Sequence, residues 1–168
     1  MSQPAEAVEV VVILRHLEDV EQRLAKLYRL LGEKFAEDTE AAFVFYRMSL
    51  EEKSHAALVQ YQSRLAKQNP KLFPAVPFDL DATLAEKVKL NKILDRFGVL
   101  DLEGAVTTSL ELETAYFESH CRAATAASVP ELSRLLASLG AGDESHIRQL
   151  IDFAGRRGIA AGAERGRP

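Results

Sequence analysis

Four acidic residues interrupt four otherwise apolar helical stripes, and two of them are followed three residues later by a histidine: Glu21, Glu52 with His55, Glu113, and Asp143 with His146. Nothing else in the chain constrains the fold as tightly, because a buried carboxylate is costly unless a cation compensates it. The stripes follow from spacing. Leu14, Leu17, Glu21, Leu24, Tyr28, Leu31 and Phe35 recur at steps of three and four, which is one face of a helix, and Glu21 is its only charge. Phe45, Met48, Glu52, His55 and Val59 repeat the pattern, as do Val106, Ser109, Glu113, Tyr116 and His120, and again Leu136, Leu139, Asp143, His146 and Leu150. Residues three apart on a helix project from one face about a turn apart, so a carboxylate and an imidazole so placed can reach one metal ion.

The order of these residues is duplicated. Glu52 follows Glu21 by 31 residues and Asp143 follows Glu113 by 30, so a shift of 91 or 92 carries one half onto the other. LEEKSH at the second stripe resembles AGDESH at the fourth. Each half reads as a helical hairpin that contributes one acid from its first helix and an acid-x-x-His pair from its second.

The fold class is therefore all-α. Long helices are predicted at about 6–36, 39–68, 99–127 and 130–155, with Thr39 as N-cap of the second and Pro130 opening the fourth. The stretch Val8 to Leu14, rich in β-branched residues, also suits an extended arm. Asn69-Pro70 ends the second helix, and a shorter helix capped by Asp81 runs to about Phe97. This connection is far longer than a hairpin needs, so it suits a crossover that leaves the second and third long helices parallel. The short link Ser128-Val129-Pro130 suits an antiparallel pair. Residues 1–155 make one domain, and 156–168, with Arg156, Arg157, Arg165 and Arg167, read as a solvated basic tail.

A net charge of −4 excludes the broad basic footprint of a nucleic-acid binder. The single cysteine, Cys121, excludes an intramolecular disulfide and a four-cysteine iron site, and reads as a buried, unreactive thiol. The apolar run Val10 to Leu14 is too short to span a membrane, and Glu6 and Glu9 stand where a signal peptide needs positive charge, so the expected location is cytoplasmic, with no membrane partner. His16 reads as a surface residue.

A four-helix bundle with a lone acid on each of two helices and acid-x-x-His on each of the other two is the pattern of ferritin-like dinuclear carboxylate proteins. Over about residues 5 to 155 the chain resembles the rubrerythrin branch of that superfamily, most specifically in Glu21 with Tyr28 seven residues on and in EEKSHA at 51–56. The resemblance implies a ferritin-like four-helix bundle of two antiparallel hairpins joined by a long crossover that contains a short helix. It implies two iron ions, a site manganese or zinc also suits, held by Glu21, Glu52, His55, Glu113, Asp143 and His146. Glu52 and Asp143 would be shared between the metals. The implied activity is that of an oxidoreductase acting on dioxygen or peroxide, and the alternative is iron sequestration or a structural metal site without turnover. Without a rubredoxin-type domain, electrons come from an external donor. The resemblance also implies a homodimer, for which the valine-rich start offers a surface.

Two residues depart from the family pattern. Asp143 is shorter than the usual glutamate by about 1.5 Å. Gly140 and Gly142 before it either permit a closer backbone approach or break the helix. Tyr116 stands where rubrerythrins carry a further glutamate, and it reads as a core aromatic. Tyr28 and His120, each seven residues past an acid, read as packed side chains with one hydrogen bond apiece.

Overall fold

The structure, a computed structural model, describes residues 6–160 and is mostly helical. Five helices form it: α1 (Val10–Lys34), α2 (Thr39–Gln68), α3 (Leu80–Arg96), α4 (Leu102–Ala126) and α5 (Pro130–Arg157). Two-residue strands β1 (Ala7–Val8) and β2 (Val76–Pro77) pair antiparallel, so the start of the chain is an extended arm and the first helix begins at Val10. The valine-rich start is absorbed by the chain itself. Val10 is buried, and Val76 opposite Val8 is buried with it.

Helix ends follow side chains that can accept from an exposed backbone N–H. Asp38, not Thr39, caps α2 through Ala41 N at 3.1 Å, and Asp79, not Asp81, caps α3 through Ala82 N at 2.9 Å. Asp101 caps α4 through Gly104 N, which moves that helix start three residues past the predicted one. Pro130 opens α5 as expected. The helix runs unbroken through Gly140 and Gly142 and continues to Arg157, where Gly158 ends it at φ 63°. Arg156 and Arg157 are therefore not part of a free tail: they pair with Glu40 and Asp38 at the start of α2. The remaining tail positions, 161–168, lie outside the described residues.

Contacts fix the helix directions. Along α1 and α2, Gly32 meets Phe45, Ala25 O accepts from Ser49 Oγ at 2.9 Å, and Glu21 meets His55 at 3.5 Å, so the two run antiparallel. On α4 and α5, Ala124 O accepts from Ser133, His120 meets Asp143, and Glu113 meets His146, again antiparallel. Between α2 and α5, Arg156 reaches Glu40 and His146 reaches Glu51, which is antiparallel once more. Together these directions leave α2 and α4 parallel, with the segment holding α3 as the crossover. α3 lies on α1, where Lys87 pairs with Asp19 and Asn91 accepts from Arg23 at 2.6 Å.

The apolar interior has two parts. One gathers around Tyr28, Phe45, Met48, Leu90 and Phe153, the other around Ile13, Leu14, Val59, Leu132 and Leu136. Between them lies a polar layer containing Glu21, Glu52, Glu113, Asp143 and His146, each at most 1% exposed. Among the described residues no helix is long and apolar enough to cross a membrane.

Candidate metal centre

The acids on the apolar stripes converge because the four long helices turn those stripes toward one axis. Glu52 lies at the middle. Its Oε2 is 3.0 Å from His55 Nδ1, one turn along α2, and its Oε1 is 2.9 Å from His146 Nδ1 on α5. Glu21 on α1 lies on the His55 side, and Glu113 on α4 lies on the His146 side, 3.2 Å from Nδ1. Two donor sets result: Glu21, Glu52 and His55, and Glu52, Glu113 and His146, each with its donor atoms within 4.8 Å of one another. Glu52 belongs to both.

The fit of this layer to cations rests on its orphaned atoms. Both oxygens of Glu21 and Oε1 of Glu52 are buried without a hydrogen bond, since the imidazole nitrogens beside them are near enough for ion pairing but out of line for donation. Buried carboxylate oxygens are normally satisfied. Burial, and then the neighbouring Glu52 charge, push the Glu21 carboxyl up to about 7. Burial likewise raises Glu113 and Asp143. The imidazoles answer in the other direction. Burial pulls His55 down, but the Glu21 and Glu52 carboxylates beside it outweigh that and hold His55 at about 10. Burial also opposes the charge on His146, and Glu113 and Glu52 together carry it up to about 11. Without metal the site thus balances its carboxylates with imidazolium protons, and a divalent ion would take their place.

Asp143 stands apart from both sets. Its Oδ2 is 2.7 Å from His120 Nδ1, so the shorter acid is held by a neighbour on α4 rather than turned toward Glu52. His120 is 3% exposed, and although burial disfavours its charge, the hydrogen bond it donates to Asp143 raises its proton affinity. His120 is thus packed with one hydrogen bond, as expected. Tyr28, its counterpart in the first half of the chain, donates to Glu113 Oε1 and so crosses to the other half. Tyr116 is buried, stacks on His120 and leaves its hydroxyl without a partner.

One contact was not read from the sequence. Glu51 accepts from His146 Nε2 at 2.8 Å and is itself held by Arg47 at 2.9 Å and Gln149 at 3.2 Å. When the imidazolium gives up a proton to metal, Glu51 keeps the remaining one on Nε2 and leaves Nδ1, between Glu52 and Glu113, free to be the donor atom. The adjacent pair of glutamates was the available signal. Of the two outcomes expected at Gly142, the helix stays unbroken and the backbone comes close, here to His55 on α2. A Cβ there would overlap the His55 ring, so the glycine serves close approach of α5 to His55. Cys121, expected to be buried, is exposed, because one residue past His120 the helix has turned about 100 degrees toward solvent. His16 is partly buried, not a surface residue, and its Nδ1 has no partner. No protein-family model matches the chain, and neither a curated protein nor a solved structure matches it.

Proposed function

We propose that the chain is a ferritin-like bundle that holds two divalent metal ions, iron in the working protein, and acts as an oxidoreductase on dioxygen or peroxide. One observation carries this reading: a single buried carboxylate, Glu52, is shared by two carboxylate–imidazole sets. A shared carboxylate between two such sets is what a dinuclear centre requires, and mixed oxygen and nitrogen donors suit iron or manganese. Glu21 and His55 would serve one ion and Glu113 and His146 the other, with Glu52 common to both. Asp143 would complete the set after turning from His120.

A ferrous pair held there would supply two electrons, enough with two protons to take one hydrogen peroxide to two waters. The protein's own residues do the rest. Tyr28 orients Glu113, Glu51 fixes the tautomer of His146, and the apolar layers on either side exclude water. Anaerobic titration with ferrous iron followed by metal analysis should give two ions per chain in the parent. A Glu52→Ala, His55→Ala double variant should lose most of that capacity, and full stoichiometry in it would sink the assignment. Metal binding without turnover is the second reading. It is favoured by Asp143 being held by His120 and by Tyr116 standing where the resembled family has a further glutamate. Many cycles of peroxide consumption per chain would support the enzyme, and a single stoichiometric oxidation would support storage.

A further inference from the structure

Beside the polar layer, where β2 and α3 cover the far ends of α4 and α5, lies a cavity of about 360 Å³. Val76, Phe78, Ala123, Ala126, Leu132 and Leu136 give it apolar walls. Its volume is at the lower end for small-molecule sites. The charged groups at its edge are Asp79 and Arg122, both exposed. Asp79 is occupied with the first turn of α3, whereas Arg122 makes no ion pair with any described residue.

The cavity leads inward. Phe78, Thr83, Ser119, Ala123 and Leu136 also wall a second, smaller space of about 10 Å³, whose other walls include Glu86, Tyr116 and His120. That space admits one water-sized molecule. Tyr116 is 3% exposed and its hydroxyl is unpartnered, and His120 holds Asp143. An apolar chamber thus has a cation at its mouth and the Tyr116–His120 pair behind its inner wall.

We propose that this chamber binds a small amphiphilic monocarboxylate, with the carboxylate at Arg122 and the hydrocarbon tail directed inward toward Tyr116 and His120. Buried hydrocarbon supplies the affinity and the guanidinium supplies the orientation. The binding site rests on the chamber alone. Only its approach to a metal centre rests on the function proposed above.

Straight-chain carboxylates from butanoate to octanoate test it, titrated into the metal-free protein in chelator. Each added methylene that enters the chamber should tighten binding about fourfold. Ala123→Phe, at the shared wall, and Ala126→Trp, in the chamber, should each abolish the gain with chain length while melting as the parent does. Arg122→Gln should weaken octanoate roughly two- to fivefold, as for an exposed charge pair, and leave 1-octanol unchanged. In the manganese-loaded protein, the terminal methyl of octanoate should relax faster than the methylene next to the carboxylate. Unsaturable binding, or affinity indifferent to chain length and to both filling variants, would overturn the site. The reverse order of relaxation would overturn the orientation. Failure to load manganese would count against the metal reading, and the series in chelator would still decide the chamber.

Discussion

Replacing Glu21 by leucine should stabilise the metal-free protein while weakening its response to metal. Glu21 is fully buried, both its oxygens lack hydrogen bonds, and its carboxyl is raised from 4.5 to about 7 by burial and by Glu52. A carboxyl raised on folding adds stability that is fully present below 4.5, where it is protonated in both states, and is lost as pH climbs through about 7. At pH 8 the ionised Glu21 therefore costs about 3 kcal/mol relative to the neutral acid, and at pH 5 only about 1 kcal/mol. Leucine removes that cost and adds apolar burial that does not depend on pH. For a chain of this length, about 3 kcal/mol corresponds to a rise of roughly 6 to 12 °C in melting temperature at pH 8, falling to roughly 2 to 4 °C at pH 5 from this source. Circular dichroism melts of parent and variant in chelator, at both pH values, read this directly. In the same melts with metal added, the variant should gain less than the parent, because one donor set has lost a carboxylate. A lower melting temperature at pH 8, or the same increment at both pH values, would refute the claim that the burial cost of the Glu21 charge exceeds what His55 returns to it.

Loading two divalent ions at pH 8 should release about two protons per chain, because His55 at about 10 and His146 at about 11 must deprotonate to donate to metal. At pH 6, below the value of about 7 for Glu21, the release should approach three. Calorimetric titration in two buffers of different ionisation heat gives the number, and less than one proton at pH 8 would remove the imidazoles from the donor sets. Gly142→Ala should displace His55 and weaken one metal-binding step by roughly tenfold or more, the scale of losing a ligand's support, while the step served by His146 is retained. Two unchanged binding steps in this variant would mean that the helix yields and that the close approach has no functional weight.

Apolar periodicity made the four long helices and the buried acids legible, since a charge that interrupts a stripe must either be compensated or disrupt the fold. Side-chain direction was not legible. Glu51 lies one position from the Glu52 stripe and reaches His146 only because α5 packs on that side of α2. His120 and Asp143 were each placed on a seam, but their mutual hydrogen bond depends on the spacing between α4 and α5, which periodicity does not encode. The caps at Asp38 and Asp79 were displaced by one and two residues, because each neighbourhood holds two eligible side chains and only geometry selects the one that meets a free N–H. The pairing of β1 with β2 is two residues long and left no alternating pattern to find.

The arm that begins at Ala7 also governs how the molecule can be handled. It runs beside β2, and Phe78 N donates to Glu6 O, so anything joined ahead of it emerges next to the wall of the amphiphile chamber. The end of α5 is fastened by Arg156 and Arg157 to the start of α2, at the opposite end of the helices. A reporter or immobilisation handle fused after residue 160 would leave the chamber mouth clear, whereas the same handle ahead of residue 6 would crowd it.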